Sequence, residues 1–230
     1  MNGTYDFRLE TSGKVFFYPC AGRDWEQPLT LFKETFDHFF FVDLAYQFNR
    51  IVPLNVPGLR PSGGPVHLQG PERSECQIIQ SIPRPYRDIE PAWLHEEYVD
   101  SQAERRVRVT RRRGFGQYAL DEIGDGSLGM FFHRGDSPGE GGSNTWYLAN
   151  MKSRHSALGM LFEKIKRKLA NPAYIASDGS NTVIRELEEA SRGLLERTQG
   201  FTRFGLNWKR AAVLPFRSGS DTVVWEVNKI

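Results

Sequence analysis

The feature that most constrains the fold is a pair of short apolar runs separated by one helix-sized segment. The runs are residues 14–18 and 38–43. Because both are apolar at nearly every position, each predicts a strand covered on both faces. Between them, Leu29, Phe32 and Phe36 recur at helical spacing. Strand, loop, helix and strand within about 30 residues predict a βαβ unit with a right-handed crossover.

The second half of the chain repeats this alternation. Short apolar runs at 128–132 and 173–176 predict strands, and an amphipathic stripe over 156–170 predicts a helix. Residues 211–216 and 222–227 flank a turn and predict a hairpin. We therefore expect an α/β protein: a Rossmann-like, mostly parallel sheet flanked by helices, with an antiparallel C-terminal hairpin.

The middle of the chain has a different composition. Proline and glycine are dense from Asn49 to Pro91, which forbids long helices there. From Arg106 to Val109, arginine and valine alternate as in a half-exposed strand. We interpret residues 49–113 as an insertion of loops and a β-hairpin within one domain that spans residues 1–230.

Composition limits the classes of protein. A chain of 230 residues with 39% hydrophobic residues can bury a core, and its formal net charge of +2 does not favour a general grip on nucleic acid or an anionic membrane. Two cysteines are too few for a disulfide framework. Neither a signal peptide nor a membrane span is recognisable, so we expect a cytoplasmic protein without a membrane partner.

Four predicted strands end in polar or glycine-containing segments. These segments are residues 19–24, 43–46, 133–144 and 177–181. If the strands are parallel, all four segments lie at one edge of the sheet, where ligands bind in open parallel sheets. The sequence therefore predicts a crevice for a small-molecule or nucleotide ligand at this edge.

Two of these segments match the spacing of a cofactor site. The loop after the first strand precedes a helix, whose free N–H groups suit a phosphate or a carboxylate. Asp43 ends the next strand 21 residues after Gly22, close to the offset at which a carboxylate accepts hydrogen bonds from a ribose. The alternative interpretation is a simple turn with Asp43 as a strand-end cap.

This order of elements resembles the fold of class I S-adenosylmethionine-dependent methyltransferases over residues 14–46 and 128–230. The resemblance implies a methyltransferase-like transferase with S-adenosylmethionine as cofactor. It would place Cys20, Ala21 and Gly22 at the glycine loop of that family and Asp43 on the cofactor ribose. The residues that we assign to the cofactor are Pro19, Cys20, Ala21, Gly22, Asp24, Asp43 and Asp178.

The segment from Arg134 to Asn144 is the predicted catalytic loop. Its Asp136 and Glu140 could orient a substrate amine, act as general base or hold a divalent cation, and His133 could carry a proton. Ser143 and Asn144 are candidate substrate contacts. The alternative is a surface loop without a catalytic role.

Two other functions remain open. In the first, Mg²⁺ bound by carboxylates serves an enzyme acting on a nucleotide or a phosphate ester; its ligands would be Asp24, Asp136, Glu140 and Asp178. In the second, the protein is not an enzyme and binds nucleic acid or an acidic partner through an arginine strand whose contact residues are Arg111, Arg112 and Arg113. The competing interpretation of that strand is a solvated sheet edge protected by charge.

Overall fold

The computed structural model of the protein describes residues 9–48, 54–70, 75–76, 88–134, 161–179, 182, 184–193, 199–214 and 221–230. In chain order, the strands are β1 (Val15–Pro19), β2 (His38–Asp43), β3 (Leu59–Pro61), β4 (Val66–Gln69), β5 (Glu75–Cys76), β6 (Asp88–Ile89), β7 (Ala92–Asp100), β8 (Arg105–Arg113), β9 (Leu128–His133), β10 (Leu169–Ser177), β11 (Gly200–Arg203), β12 (Leu206–Leu214) and β13 (Thr222–Lys229). The helices are α1 (Glu26–Phe32), α2 (Gly116–Ala119), α3 (Leu161–Lys168) and α4 (Arg185–Ser191), and Leu120–Glu122 form a 3₁₀ turn.

Eleven of the strands form one sheet. Their order is β11-β12-β13-β10-β9-β1-β2-β8-β7-β3, and β4 pairs with β7 beside β3. The five neighbours β10, β9, β1, β2 and β8 are mutually parallel. The remaining pairings of this sheet are antiparallel. β5 and β6 make a separate antiparallel pair.

The core lies on both faces of the central strands, which explains why β1 and β2 are apolar at successive positions. On one face, α1 packs its buried side chains over a cluster of phenylalanines; Phe16 lies 5.0 Å from Phe39 and 5.4 Å from Phe132 between ring centroids. On the other face, Phe17 and Phe131 pack with the buried side chains of α3 and α4. Burying rings of this size is the main apolar stabilisation of the sheet.

The predicted fold class is wrong. The sheet has six antiparallel and four parallel pairings. In the described part of the chain, the α-helices are four to eight residues long. The described residues form a β-rich fold with a mixed sheet and short helices, so the predicted Rossmann-like α/β class does not hold. The fold therefore supplies no evidence for a methyltransferase-like or nucleotide-binding class.

Short turns explain why antiparallel pairs dominate. Only residues 101–104 join β7 to β8, and only Phe204 and Gly205 join β11 to β12. A parallel pair needs a crossover of a dozen residues or more, so connections this short can join only antiparallel strands. Phe204 and Gly205 have φ of 56° and 70°. Two successive residues with positive φ match the twist of a tight hairpin.

The region that we interpreted as an insertion contributes strands to the large sheet. β8 pairs with β2 in parallel and with β7 antiparallel, so it lies inside the sheet rather than at its edge. Its half nearest the carboxyl end is buried: Arg111 and Arg112 are each 3% exposed. The interpretation of this strand as a solvated edge is therefore wrong.

Candidate functional site

The parallel strands bring the described parts of the predicted segments, residues 19–24, 43–46, 133–134 and 177–179, to one edge of the sheet. Numbered along the chain, the five parallel strands lie in the order 3-2-1-4-5, so the strand order reverses between β1 and β9. Loops that leave neighbouring parallel strands in opposite directions open a crevice outside the carboxyl ends at such a reversal. The residues after β1, β2, β9 and β10 surround this point.

Asp43 is the carboxylate that the backbone holds most firmly at this edge. The N–H of Gly22 donates to its Oδ2 at 2.8 Å, and the N–H of Ala45 donates to its Oδ1 at 2.8 Å. The carboxylate is half-buried. The predicted spacing of Gly22 and Asp43 therefore corresponds to a direct hydrogen bond between the loop after β1 and the end of β2.

The loop after β1 has two residues in the left-handed region. Cys20 has φ of 57° and Gly22 has φ of 52°. This conformation is unfavourable for a residue with a side chain. Two hydrogen bonds hold the loop: Ala21 donates its N–H to Val42 at 3.0 Å, and Asp24 donates its N–H to Ala21 at 2.8 Å. The half-buried Cys20 therefore stands at a turn tied to the end of β2.

Tyr46 adds a buried hydroxyl beside Asp43. The residue is 8% exposed, and its hydroxyl has no hydrogen-bond partner among the residues that the structure describes. Burial raises the pKa of this hydroxyl well above its usual value, and the charge of Asp43 raises it further. Its ring lies 5.9 Å from that of Trp25, over which the Arg111 guanidinium lies at 5.0 Å.

A second polar group lies between the ends of β1, β9 and β10. The Tyr18 hydroxyl donates to Asp24 Oδ2 at 3.1 Å, and Arg134 pairs with the same oxygen at 3.2 Å. Burial raises the pKa of Tyr18 well above its usual value, and the Asp24 carboxylate is the next cause. The charge of Asp178 acts in the same direction, which places this carboxylate near the pair.

The predicted catalytic residues are only partly described. Asp136, Glu140, Ser143 and Asn144 lie outside the described residues. His133 ends β9 and is 1% exposed; it lies opposite Ser177 of β10 and its ring stacks on that of Phe131. Its assignment as a proton carrier stays a prediction.

The arginines at the end of β8, which we call the arginine strand, differ in how far they are buried. Arg111 makes a two-pronged pair with Glu96, with Nε and Nη2 each 2.8 Å from a carboxylate oxygen. Arg112 pairs with Glu122 at 2.6 Å and lies 5.1 Å from the Trp93 ring centroid. Arg113 donates to the carbonyl of Glu90 at 3.0 Å. The first two guanidinium groups are thus committed to the interior, away from any outside partner.

Sequence reasoning missed part of this site. Neither pattern nor spacing indicated that the buried hydroxyls of Tyr46 and Tyr18 lie beside Asp43 and Asp24. Arg134 began the predicted loop, yet its pairing with Asp24 joins residues 110 positions apart. A contact of this kind has no local signal in a single sequence.

The residues of this edge do not form a metal site in the described part of the chain. There, no three histidine, cysteine, aspartate or glutamate side chains lie together as metal ligands. Of the four predicted Mg²⁺ ligands, Asp24 and Asp178 lie near Tyr18, and the other two lie outside the described residues. Of the helices that the structure describes, none is both apolar enough and long enough to span a membrane.

A comparison of the chain with models of protein families, with curated proteins and with solved structures gave no match.

Proposed function

We propose that the protein binds a ribose-bearing small molecule at the carboxyl ends of its parallel strands. The observation that carries the proposal is the half-buried Asp43, whose carboxylate two backbone N–H groups hold at the end of β2, next to the reversal of strand order between β1 and β9. S-adenosylmethionine, the cofactor implied by the sequence resemblance, contains such a ribose and is the first ligand to test.

The hydrogen-bonding capacity of Asp43 supports this ligand class. An ionised carboxylate offers about four acceptor positions. Gly22 and Ala45 each donate one hydrogen bond, one to each oxygen, which fixes the orientation of the carboxylate. Two neighbouring hydroxyls, such as the 2′ and 3′ hydroxyls of a ribose, provide two donors at the right separation for one carboxylate.

The surroundings of Asp43 supply the other contacts of such a ligand. The Tyr46 hydroxyl is buried and has no partner among the described residues, and a group of this kind is stabilised when a ligand or water completes its hydrogen bond. The Trp25 ring and the half-buried Phe48 ring lie on either side of Tyr46. An apolar ring of the ligand could pack against these side chains while its ribose contacts Asp43.

Isothermal titration calorimetry with S-adenosylmethionine and with ATP tests the proposal. We expect one of these probes to bind the full chain and Asp43→Asn to weaken its binding by roughly tenfold to a hundredfold, because a hydrogen bond to a charged group is worth about 1.5–3 kcal/mol. Asp221→Asn, which removes the same charge at an exposed position, is the control.

Two outcomes would overturn the proposal. One is that neither probe binds and that denaturing mass spectrometry finds no ribose-bearing compound released from the purified protein. The other is that a probe binds Asp43→Asn as tightly as the unchanged protein. Circular dichroism and the melting temperature show whether the variant has kept its fold.

A further inference from the structure

A second surface, separate from the Asp43 site, lies on one face of the sheet and is built by β3, β4, β7 and β8. Residues that are directly opposite on neighbouring strands share a face. Arg60, Val99 and Arg106 form one such row, and Glu97 and Arg108 form the next. Further along the same face, Val66 lies opposite His95 and Leu68 lies opposite Trp93. We call this surface the arginine face.

The arginine face is exposed in the described structure. Arg60, Arg106 and Arg108 are exposed, and so are the apolar side chains of Val66 and Leu68, at 54% and 48%. The opposite face of β7 and β8 is buried, with Leu94, Tyr98, Val107 and Val109 in the core. The two strands therefore have one packed face, and their other face is open around Glu97, Arg106 and Arg108 and closed at Thr110 and Arg112, which are each 3% exposed.

The three arginines of this face differ from most arginines in the described part of the chain. Among the described residues, the side chains of Arg60, Arg106 and Arg108 make no hydrogen bond or ion pair, although Glu97 lies directly opposite Arg108. By contrast, arginines with a carboxylate partner include Arg105, Arg111, Arg112, Arg134, Arg167, Arg185, Arg192 and Arg203. Residues distant in the chain thus bring three arginines without an ion pair to one surface, on which Glu97 is an exposed carboxylate.

Neighbouring side chains respond to this positive charge. Burial lowers the pKa of His38 to about 4, and Arg108 is the next cause. Burial also lowers the pKa of His95, where Glu122 acts in the opposite direction and Arg108 lowers the value again. The Arg108 guanidinium thus acts on His38, directly opposite it on β2, and on His95 of β7, where the charge of Glu122 has the larger effect. An exposed guanidinium without an ion pair favours an anionic partner.

We propose that the arginine face binds single-stranded nucleic acid. Guanidinium groups match the geometry of phosphates and stack on bases. Two residues apart on one strand, Arg106 and Arg108 stand about 6.8 Å from each other, while Arg60 and Arg106 flank β7 at about 9.6 Å, so that they can follow a phosphate backbone. The half-buried rings of Trp93 and His95 and the exposed Val66 and Leu68 offer aromatic and apolar contacts for bases, beside the Arg112 guanidinium that lies 5.1 Å from the Trp93 ring centroid. An acidic peptide would use the arginines but has no bases for this surface.

Fluorescence anisotropy with labelled single-stranded oligonucleotides of about a dozen nucleotides tests this inference in the full chain. With three phosphate contacts, the logarithm of affinity should fall with the logarithm of salt concentration with a slope of about −2, because each contact on a single strand contributes about −0.7. Arg106→Ala combined with Arg108→Ala should reduce the slope to about −0.7 and weaken binding at least tenfold at low salt.

A charge-matched control separates this surface from net charge. Arg185→Ala combined with Arg192→Ala removes the same number of charges from the two ends of α4, at its first residue and its C-cap, where both arginines are exposed. This double variant should bind the oligonucleotides as the unchanged protein does. Equal losses in both double variants would show that only net charge matters and would overturn the inference.

Competition experiments decide between nucleic acid and other anions. We expect unlabelled oligonucleotide to displace the probe at much lower phosphate concentration than inorganic polyphosphate, because only the oligonucleotide has bases. Equal displacement by polyphosphate or by a polyglutamate peptide would overturn the assignment to nucleic acid, as would absence of measurable binding. None of these outcomes depends on Asp43, so the inference and the proposed function fail or succeed separately.

Discussion

At the scale of single residues, the candidate site depends on side chains whose polar atoms are buried. Asp43 is held by two backbone N–H groups, and the Tyr46 hydroxyl beside it has no partner among the described residues. Tyr98 provides the contrast, because its buried hydroxyl donates to Glu96 at 2.9 Å. A paired hydroxyl stabilises the fold, whereas an unpaired one costs free energy unless a ligand or water completes it.

Tyr46→Phe should separate stability from binding. Without ligand, we expect the free energy of unfolding in urea to stay the same or to rise, because the change removes a polar atom that burial penalises. Binding of the ribose-bearing probe should weaken by about threefold to tenfold, the value of about one neutral hydrogen bond.

Tyr98→Phe is the matched control for this prediction. It removes a hydroxyl that has a buried partner, so it should lower the free energy of unfolding by about 1–3 kcal/mol. If Tyr46→Phe destabilised the protein as much as Tyr98→Phe does, the Tyr46 hydroxyl would have a partner in the free protein and its role in ligand binding would be refuted.

The histidines beside Thr110 predict a loss of stability in mild acid. His38 Nε2 and His95 Nδ1 lie 2.9 Å and 3.0 Å from the Thr110 hydroxyl, and the pKa of His38 is about 4 in the fold. Its unfolded value is about 6.5, so the unfolded chain binds the proton first. Stability should therefore fall as pH decreases from about 6.5 to about 4, by about 3 kcal/mol from His38.

His38→Gln tests this pH dependence, because glutamine keeps a side-chain nitrogen and cannot titrate. Urea unfolding at pH 7, 6, 5 and 4 should show a smaller decrease for the variant than for the unchanged protein. Equal decreases in the free energy of unfolding of both proteins between pH 6.5 and 4 would refute the role of His38.

Asp100 affects stability at lower pH. Burial raises the pKa of its carboxyl group, but hydrogen bonds from Lys33 and from the backbone outweigh burial and lower the pKa. Its contribution to stability is therefore lost below about pH 4.

At the scale of elements, β8 determines how the arginine segment is used. Its alternating pattern correctly separates the inward Val107 and Val109 from the outward Arg106 and Arg108. The pattern fails at Arg111, which points inward among buried side chains because Glu96 on β7 neutralises it. A partner on another strand cannot be inferred from the periodicity of one strand, so the sequence did not indicate that Arg111 and Arg112 are buried. The assignment of Arg113 as a contact residue stays a prediction.

Glu96→Ala should be strongly destabilising. It removes the carboxylate that compensates the buried Arg111 guanidinium, and breaking a buried pair from one side costs about 3–5 kcal/mol. The control is Glu97→Ala on the same strand, where the side chain is exposed and should change stability by less than about 0.5 kcal/mol. Urea unfolding measures both. Equal small effects would mean that Arg111 does not depend on Glu96.

At the scale of the whole molecule, the positions of many elements were predictable and the sheet was not. The runs at 14–18 and 38–43 correspond to β1 and β2, because a strand buried on both faces has a local signature. Whether a pair of strands is parallel or antiparallel depends on which strands become neighbours in the sheet, and the sequence of one strand does not indicate its neighbours. Residues such as Phe204 and Gly205, which make a tight hairpin, gave no recognisable turn signal because phenylalanine is unusual at positive φ.

The candidate site was also predictable only in part. The spacing from Gly22 to Asp43 led to a real hydrogen bond, because both residues follow neighbouring parallel strands. The pairings of Asp24 with Arg134 and of Trp25 with Arg111 join distant parts of the chain. These contacts exist only after the sheet has formed, so no local pattern announces them.

The place of β13 between β10 and β12 has a consequence for synthesis of the chain. The ribosome translates β10 and β12 before β13. Until β13 is translated, the edges of β10 and β12 that pair with it have no partner strand. Unpaired edges of this kind are sites of mispairing between nascent chains. The last strand of the sheet to be translated is thus inserted between two earlier strands. The antiparallel part that contains β11 and β12 joins the parallel strands only when residues 222–229 have left the exit tunnel.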